Sequence, residues 1–466
     1  SDIAKVSDQE LKREVADFFD IREAEVTQAQ IDDVRNQYIK DWLEWPVDIG
    51  APYYDRNRNG QWDVDYDEPG IVGSDQIIWY VVNDVDDSTS ISLYGSPHIG
   101  LELQVTIWVY KYQSSVLGQV IFKRYRLINK SGFQIDSMFV GQWVDPDIGY
   151  FGDDFLGCDS LKDFGYCYNG NAVDDEFSEF GLLPPAVGYA LLQGPKVPSA
   201  GDTALYDFQY IEDYKNLGMT SFWYKATGMS VGDPCFGDYD DGTIMLYYLL
   251  NGYYLSSVSF PFMHRSGPNA GQPTKFPVNG DPVTGEGDID GQGSNFAPGE
   301  RRFLVSSGPF CMMPGDTQDV VIAVVGADGG TVGDNLTSVA KLQDEVTPIR
   351  EFFNGLTEYI PPEVLEVSFE QTGYKRFVLG QNYPNPFNNG TAVHFKLFGK
   401  MDVKLEVYNI KGEIVKAIFE GQRKADEYQF TWDGCNNLGI KMPSGIYLLS
   451  LSNDIEIQTK KIVLIK

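Results

Sequence analysis

The segment Asp55-Arg-Asn-Arg-Asn-Gly-Gln-Trp-Asp63 has the residue types and spacing of a loop that wraps a hard cation. Side-chain oxygens fall at Asp55, Asn57, Asn59 and Asp63, with Gln61 between them, and Gly60 stands where such a loop turns sharply. The twelfth position is Tyr66, so the usual closing glutamate is missing, and Asp65, Asp67 or Glu68 must supply that oxygen. We take Asp67 into the expected set. The expected ion is calcium, in a structural role that pins a loop; the alternative is an Asx-rich turn with no metal. A second acidic group, Asp145, Asp147, Asp153, Asp154 and Asp159, is expected to gather around another cation, since hard cations want several oxygens. The same residues also offer a carboxylate pair for glycoside cleavage, but that chemistry depends on a separation that spacing along the chain does not set.

Gly228-Met-Ser-Val-Gly232 fits a nucleophile-elbow pattern around Ser230, with His264 downstream and Asp238, Asp240 or Asp241 as the orienting acid. That elbow requires a strand before the serine and a helix after it. Here Asp233-Pro234 follows and breaks the helix, so the pattern is read as coincidence and no enzyme is expected. The three histidines, His98, His264 and His394, are scattered and form no zinc-type pair. Gly329-Gly330 lacks the lysine of a phosphate-cradling loop. Among the five cysteines, Cys158 and Cys167 flank a short turn-like segment and are expected to pair across a hairpin. Cys235 and Cys311 form a second pairing, which leaves Cys435 as a buried thiol or an intermolecular link.

The elements that must position these residues are mainly strands. Residues 7–20 and 27–45 read as a helical hairpin, opened by Ser7 with Glu10 and by Thr27 with Gln30, and stopped by Pro46. Leu11, Val15, Phe18 and Phe19 share one face, and Ile31, Val34, Tyr38 and Trp42 another. From residue 75 to 143 the pattern is strand throughout, with Leu101, Leu103, Val105, Ile107 and Val109 alternating against Glu102, Gln104 and Thr106. Strands recur at 221–224, 301–307 and 318–327, separated by a long polar loop over 264–300 that includes Asp288 and Asp290. Residues 246–249 read as a short helix or a buried strand. Residues 335–354 read as a helix that Pro348 bends, and Pro361-Pro362 marks a linker over 357–376. The expected fold is mainly β: an N-terminal helical segment (1–50), a large sandwich-like body (51–356), the linker, and a small antiparallel sandwich (377–466).

The chain holds 67 acidic and 36 basic residues, a net charge of −31, which argues against nucleic acid and anionic membranes as partners. Aromatic residues at 14% argue against a disordered acidic tail. No run of eighteen apolar residues exists, so no membrane insertion is expected. The chain begins Ser1-Asp-Ile, which a removed signal peptide or a trimmed end would explain.

The closing segment carries Leu379, Gln381-Asn-Tyr-Pro-Asn-Pro-Phe-Asn388, Tyr408-Asn409, Gly412, Trp432-Asp-Gly434, Gly439, Ser444-Gly-Ile-Tyr447 and a basic end at Lys460, Lys461 and Lys466. Along its whole length it resembles the type A C-terminal sorting domain of bacterial type IX secretion cargo, an immunoglobulin-like module. It departs from that pattern at Asn389, where proline is common, and at Cys435. The resemblance implies export through the type IX translocon to the outer surface or surroundings of a Gram-negative-type cell. The central part resembles the body of other secreted proteins bearing this domain, through Asp75-Gln76 with Trp79, Tyr94-Gly95, Ile99-Gly-Leu-Glu102, Asp145-Pro-Asp147, Gly157-Cys-Asp159, Pro184-Pro-Ala-Val-Gly-Tyr189, Arg301-Arg-Phe-Leu304 and Ser307-Gly-Pro-Phe310. That likeness brings no catalytic residues. The expected function is a non-catalytic surface or extracellular structural protein, a subunit of a filament or coat. The alternatives are a calcium-dependent carbohydrate-binding adhesin, with glycans as partners, and a secreted hydrolase.

Overall fold

The computed structural model describes residues 6–57, 59–111, 116–255, 259–330, 333–356, 377–380, 382–388, 390–397, 401–409, 414–424, 426–437, 439–453 and 457–465. The linker over 357–376, and Arg58, Gln381, Asn389, Gly412 and Lys466, lie outside the described residues. The chain divides into two compact units, residues 1–365 and 366–466.

The first unit opens with α1 (Asp8–Phe19) and α2 (Gln28–Leu43). Thr27 and Gln30 form the expected reciprocal cap at the start of α2. Leu11, Val15, Ile31 and Val34 bury one shared seam. Phe18 does not join it: at 74% exposure it points away from the face assigned to it.

The two-residue strands β1 (Tyr53–Tyr54) and β2 (Glu68–Pro69) then pair across the cation-type loop. After them come β3 (Gln76–Asn83), α3 (Asp87–Tyr94), β4 (Leu101–Val109), β5 (Val120–Asn129) and β6 (Ile135–Val144). The hairpin of β7 (Asp154–Asp159) and β8 (Phe164–Asn169) leads through the single turn α4 (Asp175–Ser178) into β9 (Ala186–Gln193). A second hairpin, β10 (Lys196–Tyr206) and β11 (Gln209–Asn216), precedes β12 (Ser221–Ala226) and α5 (Met245–Leu250). Three short strands follow, β13 (Tyr253–Leu255), β14 (Ser259–Met263) and β15 (Pro273–Thr274), and the unit closes with β16 (Arg301–Met312), β17 (Thr317–Ala327) and α6 (Asn335–Gly355).

An antiparallel sheet in the order β3-β4-β5-β17-β9-β8-β7 forms the middle of the unit. One face packs on α6: Val339, Leu342, Val346, Ile349 and Phe353 meet Phe122, Phe164, Tyr166, Ala190, Val321 and Ala323. Burying each such side chain stabilises by about 2 kcal/mol, which outweighs the helical hydrogen bond that Pro348 forgoes. The other face packs on the sheet β12-β16-β6, with Leu127, Leu191, Val320 and Ile322 against Phe222, Tyr224, Phe303, Val305 and Met312. A sheet covered on both sides explains why the alternation along β4 does not separate core from water. Gln104 and Thr106, the polar partners in that pattern, are themselves buried.

The second unit pairs β18 (Phe377–Leu379), β19 (Thr391–Leu397) and β22 (Asp426–Trp432) in one sheet. Its other sheet is β21 (Ile414–Arg423), β20 (Met401–Asn409), β23 (Gly445–Ser452) and β24 (Ile457–Leu464), in that order. Apolar residues of both close over Trp432, whose indole Nε1 donates to the Cys435 carbonyl at 2.9 Å. The lead-in asparagines explain the motif in which they stand. Asn382 donates to Thr391 Oγ1 at 2.8 Å, and Asn385 accepts from the Val463 amide at 2.9 Å, so one short segment is tied to β19 and β24 at once. The architecture is mainly β with N-terminal helices and an immunoglobulin-like C-terminal sandwich.

All five cysteines are free. The expected Cys158–Cys167 bridge does not form because the register sets Cys167 opposite Leu156 and Cys158 opposite Gly165. Both thiols are fully buried, and burial pushes each well above the usual range. Cys235 and Cys311 are exposed thiols, and Cys435 is a buried one.

Candidate functional site

In the loop over 55–67 the side chains of Asp55, Asn57, Asn59, Asp63 and Asp67 are used first to fold the loop itself, and Gln61 takes part through its backbone amide. Asp55 accepts from the amides of Asn59 at 3.2 Å and Gly60 at 2.7 Å. Asn57 accepts from Asn59 and Asn59 from Gln61, at 3.0 and 2.7 Å, while Gly60 takes a left-handed φ of 72°. Asp63 accepts from the Asp65 amide at 3.2 Å. Asp67 is the carboxylate that closes the loop: it is 1% exposed and accepts from Arg56 and Asp63 amides at 3.0 and 2.8 Å. Glu68 instead pairs with Arg56. Each carboxylate keeps lone pairs beyond these bonds, so the donor set is compatible with calcium, and the loop also closes without it.

The second acidic group does not gather. Asp145 is exposed and bound to Arg302 at 2.9 Å, and Asp147 is exposed. Asp159 caps the β7–β8 turn, accepting from the Leu161 and Lys162 amides. Five residue steps along β7 separate Asp154 from Asp159, about 17 Å at strand rise, too far to share an ion. Only Asp153 and Asp154 remain together, and among the described residues no three histidine, cysteine or acidic side chains converge as a metal site.

Ser230 lies in a bend beyond the end of β12, and no helix follows until residue 239. His264 Nδ1 faces Asp288 Oδ2 at 3.2 Å. Asp288 also takes the Ser266 and Val278 amides, at 2.9 and 3.0 Å, so its work is to fasten the polar loop over 264–300. Asp290 does the same through Arg301, at 2.8 Å with both side chains fully buried.

A cleft of about 530 Å³ opens on the α6-side face of the long sheet, near its β3 edge. Strand register builds its floor. Trp79 stands opposite Thr106 and Thr106 opposite Arg124, and in the next row Gln104 stands opposite Arg126. Tyr53, Tyr54 and Asp55 line it from the cation-type loop, and Asp207 and Phe208 from the β10–β11 turn. Asp207 and Phe208 both take left-handed backbone, φ 51° and 57°, which non-glycine residues adopt only under constraint. The constraint is visible: the Asp207 carboxylate meets Arg124 at 2.6 Å and Arg126 at 2.7 Å, and Phe208 lies 5.3 Å from the Arg124 guanidinium. Beneath them, buried Asp319 accepts from Arg124 at 2.8 Å and from Arg126 at 2.8 and 3.0 Å. Burial alone would push Asp319 up, yet the two arginines hold it down at about 2. The cleft therefore offers aromatic faces beside a charge-matched set of rigid donors and acceptors.

None of Arg124, Arg126, Asp207 or Asp319 was singled out by motif. The available signal was Arg124 and Arg126 at strand spacing on one face of a strand otherwise read as core.

A family model described as the FlgD Ig-like domain matches residues 382–455. FlgD from P. aeruginosa is 25% identical over 19% of this chain and 70% of its own, with a TM-score of 0.14. PorZ, a surface component of the type IX secretion system of Porphyromonas gingivalis, is 14% identical over 18% of this chain and 11% of its own, with a TM-score of 0.14. Latent PorU of the same organism is 10% identical over 78% and 26%, with a TM-score of 0.17. TM-scores this low assign no fold to the whole chain. No curated protein matches it. Among the described residues no helix is long and apolar enough to cross a membrane.

Proposed function

We propose that this chain is type IX secretion cargo that works outside the cell as a non-catalytic structural protein, associating with its own copies along β3. Export rests on the Asn382–Asn388 motif and the immunoglobulin-like module it ties together. The observation that carries the association is the edge of the long sheet, where β3 pairs with β4 alone among the described residues. Gln76–Asn83 contains no charged residue, although 22% of the chain is charged, and Ile78, Tyr80 and Val82 stand 54, 44 and 46% exposed along one face. Edge strands are ordinarily guarded by charge, proline or a bulge, and none lies within this one. Two such edges pairing around a twofold axis close a dimer, the unit from which a filament or coat is built through further contacts. The non-catalytic reading is supported by Ser230 lying in a bend with no helix until residue 239. Calcium in the loop over 55–67 has the role of stiffening the wall beside β1.

Sedimentation and negative-stain microscopy of the full chain test this. The expected result is dimers or ordered polymers that Tyr80→Lys disperses while the melting temperature stays within about a degree, as for a surface change. A wild-type chain that remains monomeric at high concentration overturns it.

A second reading is favoured by the cleft. Trp79, Tyr53 and Tyr54 beside fixed polar groups suit a saccharide, whose apolar ring faces stack on aromatics while its hydroxyls take hydrogen bonds.

A further inference from the structure

At the end of the β7–β8 hairpin away from its turn, three buried oxygens have no hydrogen-bond partner: Asp153 Oδ1, Asp154 Oδ1 and Asn169 Oδ1. Asp154 begins β7, Asn169 ends β8, and the register sets them opposite one another, where side chains of an antiparallel pair share a face about 5 Å apart. Asp154 is 1% and Asn169 0% exposed. Asp153 is brought to the same place by Asn171, whose amide donates to its Oδ2 at 3.0 Å, and by the Gly170 amide on its carbonyl at 2.7 Å. The Asn169 side-chain amide also lies within hydrogen-bonding reach of Asp153, which favours the ionised carboxylate.

The orientation of the Asn169 amide is fixed by its nitrogen, which donates to the carbonyls of Asn171 at 2.9 Å and Val173 at 3.5 Å. Turning the amide over would set its oxygen against those two carbonyls, so the oxygen stays on the side of the carboxylates. A third carboxylate lies behind. Asp174 is fully buried, caps α4 through the Glu176 and Phe177 amides and accepts from the Tyr150 amide at 2.9 Å. The charges acting on Asp153 include Asp174 and Asp175, those acting on Asp154 include Asp153 and Asp174, and the Cys167 thiol hydrogen-bonds Asp154 from the facing strand.

Three unpartnered buried oxygens at one end of a hairpin, two of them on carboxylates, call for a positive partner. We propose that Asp153, Asp154 and Asn169 ligate one buried divalent cation of the oxygen-preferring class, calcium, which clamps the open end of the β7–β8 hairpin to the segment over 170–174. Two carboxylates and an amide oxygen are hard ligands that suit calcium, and backbone carbonyls or water complete its shell. This site shares no residue with the loop over 55–67.

Calorimetric titration of the full chain with calcium, after stripping with a chelator, tests the assignment. Asp154→Asn keeps the shape and removes the charge, and the expected result is loss of one tight calcium equivalent and of the matching part of the calcium-induced rise in melting temperature. Asp55→Ala reports separately on the surface loop and leaves that equivalent in place. Should Asp154→Asn fail to fold, Asp153→Asn, at a partly exposed position, is expected to show the same loss. The proposal is overturned if the wild type binds no calcium, or if the folded aspartate variants keep every equivalent; water or a shared proton then serves the three oxygens.

Discussion

Replacing Glu345 by glutamine should make the first unit more stable at pH 8 and leave it nearly unchanged at pH 5. Glu345 lies on the sheet-facing side of α6 at 8% exposure, and its Oε2 has no hydrogen-bond partner. The nearest basic group, Lys341 Nζ, is 4.0 Å from Oε1 and partly in solvent. Burial therefore outweighs Lys341 and pushes the carboxyl from 4.5 to about 7. Because the folded value is the higher one, both states hold the proton below pH 4.5. The penalty for ionising Glu345 inside the fold then grows as pH rises, and is complete above about 7. At about 1.4 kcal/mol per pH unit, that gap corresponds to roughly 3 kcal/mol. Glutamine leaves its own amide poorly bonded, which brings the expected gain to about 2 kcal/mol, or some 3–5 °C in melting temperature. Thermal unfolding at the two pH values, followed by near-ultraviolet circular dichroism, reads it. A variant that is less stable at pH 8, or equally stabilised at both pH values, refutes the argument that an unpaired buried charge is what Glu345 contributes.

Asp319→Asn should cost about 3 kcal/mol at neutral pH, because it removes the buried counter-ion of Arg124 and Arg126 and leaves them only the half-exposed Asp207. In the wild type, the stability Asp319 contributes is full above 3.8 and is lost as pH falls from there through about 2, which acid unfolding curves of wild type and variant should show by converging. If the cleft holds a saccharide, Trp79→Ala should remove binding on a glycan array without lowering the melting temperature by more than a few degrees, and equal binding by both proteins dismisses that reading.

Elements with a strong period or a local chemical signal were readable from the chain alone. The buried stripe Val339, Leu342, Val346, Ile349 and Phe353 lies where the helical period sets it, and the reciprocal cap of Thr27 and Gln30 needs only its own four residues. What escaped depends on which segment covers which. Gln104 reads as a solvent-facing residue until the segment after α2 lies over it and the Ile49 carbonyl takes its amide at 3.2 Å. Phe18 fits an apolar helix face, but the seam that buries Leu11 and Val15 on that face leaves Phe18 exposed. Proximity in sequence misled most over the acidic residues at 145–159. An extended strand carries neighbours apart as fast as a chain can, so Asp159 leaves Asp154 behind. The partners that Asp154 keeps, Asn169 and Asp174, come from fifteen and twenty residues on, brought back by a hairpin whose register no spacing encodes. The cleft obeys the same rule: Trp79, Arg124, Asp207 and Asp319 meet because β3, β4, β5 and β17 are adjacent and a strained turn is bent over them. Chemistry that lives within one element can be read before folding, and chemistry assembled across strands can be read only once their order is known.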